Sequence, residues 1–465
     1  MNEYSFKFTG QRIVLGGMLV AMKRSLTASR AHYKKAIKRL PLGVTSNFRY
    51  WGENTLYVRR GKGARLWDLD DNEYIDYRLG YGPNILGYGD ERVDQAVREG
   101  LEVGGVFALS TERELDVAER ISRMVPAAEL VRFSVSGTEA VMAALRLARA
   151  YTGKDSYVLV EGGYHGVFSE GLWQTDIENW QASDGDPELI AYSAGVPDLY
   201  SHLIYSVPMN DANRLERLFK RHAGDIAALL IEPMMGNCCA ITAETQYLQD
   251  VRALCDKFDV VLIIDEIKTG FRVARGGVQE LMGVRADLCT FAKAMANGFP
   301  ISAVCGREDI MRLIGKGVVH GGTYTGHGIS LAAADRTLQI LEETPALENI
   351  AQFGRRLREG LGQVLARRGI PHCFVGHPAM SGLFFAPVPP KDYRDWVKTD
   401  YTFYDAMAPK LHDLGILVEP DSREPWFACA AHDESCLTAT VSAFERAVDQ
   451  TLNDLKSTPR EVAAL

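Results

Sequence analysis

The residues Val260-Val261-Leu262-Ile263-Ile264 form an apolar, mostly β-branched run that is too short for a helix and stops abruptly on Asp265-Glu266. That is the pattern of a strand buried on both faces. Short apolar runs recur at 130–135, 157–160, 227–231, 288–291 and 301–304, separated by stretches of helical patterning between about residue 90 and residue 335. The alternation predicts an α/β fold with a mostly parallel sheet flanked by helices. In such a sheet the ligand crevice lies outside the carboxyl ends of the strands, so a polar residue there faces a ligand rather than the core.

Several of the runs end on polar residues. Asp265 closes one, Glu232 follows 227–231, and Glu161-Gly162-Gly163-Tyr164-His165-Gly166 follows 157–160. Tyr164 has a ring able to stack on a planar ligand, although a tyrosine in a glycine-rich turn is also an ordinary turn residue. After 130–135 comes Ser136-Gly137-Thr138-Glu139, opening a helix with apolar positions Val141, Leu145 and Ala148. Free N–H groups at a helix start, a glycine permitting close approach and two hydroxyls make a phosphate cradle. Ser followed by Glu is equally an ordinary N-cap.

Lys293 lies in Phe291-Ala292-Lys293-Ala294-Met295-Ala296-Asn297-Gly298-Phe299-Pro300, where small apolar neighbours favour the neutral, nucleophilic amine by desolvation. Taken alone, Asp265 and Lys293 are two charges of the kind any protein surface carries. Polar groups at several consecutive strand ends converge on one crevice, which changes their meaning. A lysine to form a Schiff base and an acid to keep a pyridine nitrogen protonated are the two groups pyridoxal phosphate chemistry requires.

The balance of 52 basic against 60 acidic residues, a net charge of -8, argues against nucleic acid or an anionic membrane as the main partner and leaves a small molecule. The eight cysteines show neither zinc spacing nor a disulfide framework, so no metal site is expected and a cytoplasmic location is. The apolar stretch 12–22 is too short to span a bilayer and lacks a convincing basic leader. It reads as an arm packing on a neighbouring subunit. Helical patterning over 27–40, stopped by Pro41, completes an N-terminal region of residues 1–40.

Residues 41–89 contain turn-rich and strand-like segments, including a hairpin-like pair at 56–58 and 65–69, and read as the first part of a small domain. Residues 90–335 form the large domain. Residues 336–465 return to the small α+β domain, with strand-like patterning over 374–385. Its last helix carries a stripe of Leu437, Val441, Phe444, Val448, Leu452 and Leu455.

These motifs, in this order and spacing, resemble class-III pyridoxal-phosphate-dependent aminotransferases over about residues 40–450, closest in pattern to the glutamate-1-semialdehyde 2,1-aminomutase branch. The resemblance implies fold type I, with a seven-stranded sheet and a small domain built from both chain ends. It makes Lys293 the Schiff-base lysine and Asp265 the partner of the pyridine nitrogen. Ile267 lies under the ring where the family usually has valine. Ser136, Gly137 and Thr138 hold the phosphate, Tyr164 stacks on the ring, and His165, Glu232 and Asn237 complete the surroundings. Thr323, in Gly322-Thr323-Tyr324-Thr325-Gly326-His327, corresponds to the residue that reaches a neighbouring subunit's phosphate, which implies a homodimer with shared sites.

By the same resemblance Ser46 and Arg49 meet a substrate carboxylate, Tyr81 stands where the family usually has Trp, and Glu424 aligns with a carboxylate near the substrate amine. Thr45 and Asn47 depart from the branch pattern, as does Gly328, and residues 167–197 are longer and more acidic than the gating loop expected there.

The expected activity is transfer of an amino group from an amino acid or amine to a keto or aldehyde acceptor. A close alternative is an intramolecular 2,1-aminomutase using the same chemistry. A nicotinamide-dependent dehydrogenase shares the alternating pattern, but its glycine fingerprint is missing.

Overall fold

The computed structural model describes residues 24–176 and 186–457. The arm expected over residues 1–22 and the middle of the 167–197 segment lie outside them. The central sheet has seven strands: β1 Leu130–Ser134, β2 Ser156–Val160, β3 Ile204–Val207, β4 Ile226–Ile231, β5 Val261–Asp265, β6 Leu288–Phe291 and β7 Ser302–Gly306. Their spatial order is β1-β7-β6-β5-β4-β2-β3. Neighbours pair in parallel except β7, which runs antiparallel to both β6 and β1.

Side chains alternate across the pleat, so each apolar run supplies two cores at once. Val158, Val160, Leu229, Ile231, Leu262 and Ile264 pack into the core on one face of the sheet. Tyr157, Leu159, Ala228, Leu230, Val261 and Ile263 pack on the other, against Val141, Ala144, Leu145 and Ala148 of helix α1, Gly137–Thr152. The runs are therefore continuous rather than alternating because both faces are covered. β3, with Tyr205 and Ser206 in its middle, is the strand whose sequence lacks that signature.

A second, four-stranded sheet joins Val58–Lys62, Arg65–Asp68 and Glu73–Asp76 to Ile416–Leu417. Ile416 and Leu417 pair in parallel with Ile75 and Asp76, so a C-terminal segment completes a sheet begun near residue 58. That pairing carries residues 419–424 toward the carboxyl edge of the large sheet. The expected strand at 374–385 is a hairpin of Cys373–Val375 and Met380–Phe384. The expected helix over 27–40 runs from Thr27 to Ala36, and Ile37 to Leu40 form a hydrogen-bonded turn ahead of Pro41. The final helix, Glu434–Ser457, buries Leu437, Phe444 and Val448, while Leu455 at its end is exposed. No helix among the described residues is long and apolar enough to cross a membrane.

Candidate active site

Because β1, β2, β4, β5 and β6 run in one direction, their carboxyl ends share one edge of the sheet, and each delivers a polar side chain there. Asp265, the last residue of β5, is buried and anchored by three donors, which leaves an ionised carboxylate with acceptor capacity for a further one. His165 Nδ1 donates to its Oδ2 at 2.8 Å, while Ile267 N and Thr290 Oγ1 donate to its Oδ1 at 3.0 and 3.1 Å. His165 Nε2 is buried without a partner. An oriented carboxylate held by an imidazole, a hydroxyl and an amide has its charge stabilised and its direction fixed.

Lys293 lies two residues beyond β6 in a short 3-10 turn, with φ of 41°. A non-glycine residue in the left-handed region costs about 1–2 kcal/mol, and such strain persists where surrounding structure imposes it. Asn297 braces the same turn: its Oδ1 accepts from Leu86 N at 2.9 Å and its Nδ2 donates to Gly87 O at 3.0 Å, tying the lysine turn to the 79–89 loop. Burial, and next the nearby Lys268 ammonium, lower the Lys293 amine from the ordinary lysine value to about 7, against the raising influence of Glu424, Glu232 and Asp265. The amine is thus substantially neutral near pH 7, as a nucleophile requires.

Glu232, buried beyond β4, accepts from Tyr164 N at 2.7 Å and from Gly236 N at 3.2 Å. It clamps the loops after β2 and β4 together. Burial raises its carboxyl above the ordinary range, opposed by His165 and Lys268. Tyr164 lies edge-on to Phe48, with ring centroids 6.0 Å apart, and burial pushes its phenol up to about 12. Tyr81 packs edge-on to the same Phe48 ring at 6.4 Å, and its hydroxyl contacts Phe48 O and Arg78. Arg78 is held by Glu419 at 2.8 Å.

At the start of α1, Ser136 and Glu139 form a reciprocal capping box. The first amides of the helix, Gly137 and Thr138, have no intrahelical acceptor by construction and carry the positive end of the helix dipole. A Cβ on Gly137 would lie 2.7 Å from Ile267 Cδ1, so this glycine permits the close approach of α1 to the loop after Asp265. Ser302 Oγ, at the start of β7, fixes the turn by donating to Ser136 O at 2.7 Å.

These residues fit a planar, phosphorylated pyridine. An anion cradle, a partly buried tyrosine, an isoleucine, an oriented carboxylate and a neutral lysine all lie along one sheet edge, and the partnerless buried His165 Nε2 adds a polar atom there. Three other expected site residues are more open. Arg49 is exposed, donating to Thr45 Oγ1 at 3.0 Å; Ser46 is half-buried, and its backbone carbonyl accepts from Arg49 N. Thr323 is exposed, in a stretch containing the exposed Val319 and Tyr324.

Sequence reasoning missed Lys268, which is buried and paired with Glu424 through both carboxylate oxygens at 2.8 Å. Its Nζ also donates to Asn237 Oδ1 at 3.1 Å. The signal was available: a lysine three residues past Asp265, close to the carboxyl end of a buried strand. Glu266 was passed over as well. Its carboxyl accepts from Val278 N, Gln279 N and Thr269 Oγ1, and burial pushes it up to about 7.

Fold and site together define an α/β enzyme with a buried, neutral-leaning lysine and an anchored carboxylate at the carboxyl edge of its sheet. Residues 49–426 match the family Aminotransferase class-III, and the chain belongs to that family. It is thereby a pyridoxal-phosphate-dependent aminotransferase-class enzyme, and the dehydrogenase alternative falls away. The chain is 37% identical over 423 residues to glutamate-1-semialdehyde 2,1-aminomutase of Methanothrix thermoacetophila, covering 90% of this chain and 96% of that one. The namesake of Thermus thermophilus is 36% identical, with 90% and 98% covered. Among solved structures, an omega-transaminase from Sphaerobacter thermophilus superposes with a TM-score of 0.88 at 30% identity, covering 94% of this chain and all of that one. A transaminase with PLP bound gives 0.84 at 27% identity, covering 93% and 100%.

Proposed function

We propose that this chain is an aminotransferase that moves an amino group from an amino acid or amine to a keto or aldehyde acceptor, with Lys293 and Asp265 as its catalytic pair. When bound, pyridoxal phosphate supplies the carbonyl that takes up the amino group and a ring that accepts electrons. Lys293 is the lysine that holds the cofactor. With the cofactor in place, the Lys293 Nζ would be the group that carries a proton between the donor carbon and the adjoining position. Asp265 keeps a proton at the pyridine nitrogen, and His165 holds Asp265 in direction. Gly137 and Thr138, beside Ser136, would hold the phosphate, Tyr164 and Ile267 would border the ring, and Glu232 keeps the two loops closed on each other. The observation that carries the reading is the neutral-leaning Lys293 amine in one chamber with the triply anchored Asp265.

Thr323 completes a neighbouring copy's phosphate site in a homodimer. Supporting this are its exposure and that of the apolar Val319 four residues before it, at 81%. Residues 41–89 and 336–465 act as one small domain, supported by the pairing of Ile416 with Ile75, against a large domain of residues 90–335. Eight free cysteines, seven of them buried, fit a reducing, cytoplasmic setting. Ser46 and Arg49 serve a substrate carboxylate if the loop bearing them turns inward on binding. Tyr81 lines the same entrance.

The test is a half-reaction screen. Holoprotein mixed with a panel of α-, β- and ω-amino acids and amines loses its visible band with true donors, and borohydride bleaches the band beforehand. Absence of a band, or a Lys293→Ala variant with appreciable turnover, defeats the reading. The 2,1-aminomutase reading is favoured by the identity of 37% to a protein of that name across most of the chain. Turnover of a single substrate without an external acceptor would select it.

A further inference from the structure

The chamber around Lys293 contains a second lysine whose charge is already spent. Lys268 and Glu424 have side chains only 5% and 13% exposed, and an ammonium has three protons to donate. Those three meet Glu424 Oε1, Glu424 Oε2 and Asn237 Oδ1. Lys268 has no donor left for a ligand, and both Glu424 oxygens are covered by a cation.

The arrangement is rigid. Asp265 accepts from Ile267 N on one side of Lys268, and on the other Thr269 is tied to Glu266, itself anchored on Val278 N and Gln279 N. A side chain on Gly236 would collide with Lys268, so the chain makes room for this lysine by having none there. Glu424 shares the chamber with the chemistry, since its charge acts on Lys293, Tyr81 and Tyr164.

Moving an amino group between adjacent carbons of one molecule passes through a species with amino groups on both carbons. While one reacts, the other is an ammonium inside a partly dry chamber, where it needs a carboxylate partner. The other carboxylates here are engaged: Asp265 with His165, Glu232 with two backbone amides, Glu419 with Arg78. Glu424 is the remaining candidate, and in this chain an internal ammonium occupies it.

We propose that Lys268 is a specificity-determining residue: seated on Glu424 and Asn237, it excludes substrates carrying a second amino group beside the reacting one, so the chain works as an intermolecular aminotransferase on monoamines and not as a 2,1-aminomutase. The proposal rests on the pyridoxal phosphate reading and decides between its two branches.

Holoprotein and the variants Lys268→Met and Lys268→Gln are titrated with 2,3-diaminopropionate, a vicinal diamino acid, and with alanine and β-alanine, following the visible band to obtain apparent dissociation constants. The diamino acid is expected to tighten by about tenfold or more in Lys268→Met, and the double variant with Glu424→Gln is expected to lose that gain. The monoamines are expected to change by less than the diamino acid in every variant. Lys268→Gln is one atom shorter than lysine but keeps a neutral N–H donor for Glu424, so it gives the same direction should the methionine variant not fold. No gain in either variant, or a gain that survives loss of the Glu424 charge, overturns the assignment. So does acceptor-independent isomerisation of an α-amino aldehyde by the native holoprotein. A preparation that shows no visible band with added pyridoxal phosphate overturns the cofactor reading itself and this proposal with it, whereas a normal band with unchanged selectivity overturns the role of Lys268 alone.

Discussion

His165 Nδ1 and Asp265 Oδ2 lie 2.8 Å apart, with side chains 5% and 2% exposed, so the imidazole is one of three donors that orient a buried carboxylate. A hydrogen bond to a charged group contributes about 1.5–3 kcal/mol. If that contribution is felt at the transition state, His165→Ala lowers kcat by roughly 10–100-fold, and His165→Asn, which can still donate, recovers part of the loss. Steady-state kinetics with the visible absorption band as a loading control checks this. A kcat unchanged in the alanine variant would show that Ile267 N and Thr290 alone suffice.

The Lys293 amine, lowered to about 7 by burial and then by Lys268, gives a signed pH prediction. A depressed amine pKa means the neutral form dominates above about pH 7. Uptake of pyridoxal phosphate by apoprotein, which needs that neutral form, is expected to accelerate with a midpoint near pH 7. Lys268→Met removes a positive neighbour and leaves Glu424 negative, so the midpoint moves upward. Stopped-flow absorbance during reconstitution measures both, and a midpoint near the ordinary lysine value of about 10.4 would contradict the burial argument.

The sheet was legible because burial on both faces removes the need for polar positions, leaving β2, β4, β5 and β6 as continuous apolar runs with polar residues just past them. β3 escaped for the complementary reason. As an edge strand it has one neighbour, β2, and it keeps Tyr205 half-exposed, stacked on His222, so its pattern looks like a loop. Within the site, charge at strand ends could be read from the chain, but charge pairing across it could not. Lys268 and Glu424 are 156 positions apart, and long-range contacts such as the pairing of Ile416 with Ile75 and of Cys239 N with Arg423 O bring the C-terminal carboxylate over the sheet edge. Arg49 illustrates the converse: a guanidinium suited to a carboxylate in sequence sits on the exposed side of its turn, while its neighbour Phe48 points at Tyr81 and Tyr164.

Gly137 and Ile267 form a matched pair, since a Cβ on Gly137 would stand 2.7 Å from Ile267 Cδ1. Gly137→Ala is expected to push α1 off the loop after Asp265, destabilising the protein by about 1–3 kcal/mol and weakening phosphate binding at the helix start. Ile267→Val removes that Cδ1 and should recover most of the loss in the double variant. Thermal unfolding with and without pyridoxal phosphate tests the coupling. Additive effects of the two substitutions would mean the contact is not the cause.

Glu161, fully buried just past β2, is held by Arg394, whose Nε donates at 2.7 Å in a two-bonded pair. The pair joins the large sheet to the C-terminal region, and burial raises the Glu161 carboxyl even with the guanidinium opposing it. Arg394→Ala leaves that carboxylate without its cation, at an expected cost of about 3–5 kcal/mol in urea unfolding. The sign with pH follows from the raised carboxyl. A raised carboxyl binds its proton more readily in the fold than in the unfolded chain, so this group's contribution to stability is greatest at low pH and is lost as pH rises through the folded-state value. The deficit of Arg394→Ala should therefore be smaller at pH 5 than at pH 8. Glu161→Gln with Arg394→Met, which removes both charges while keeping volume, should recover much of the loss and flatten the pH dependence. A deficit of equal size at both pH values would assign the effect to lost packing of the arginine stem instead of to the stranded charge.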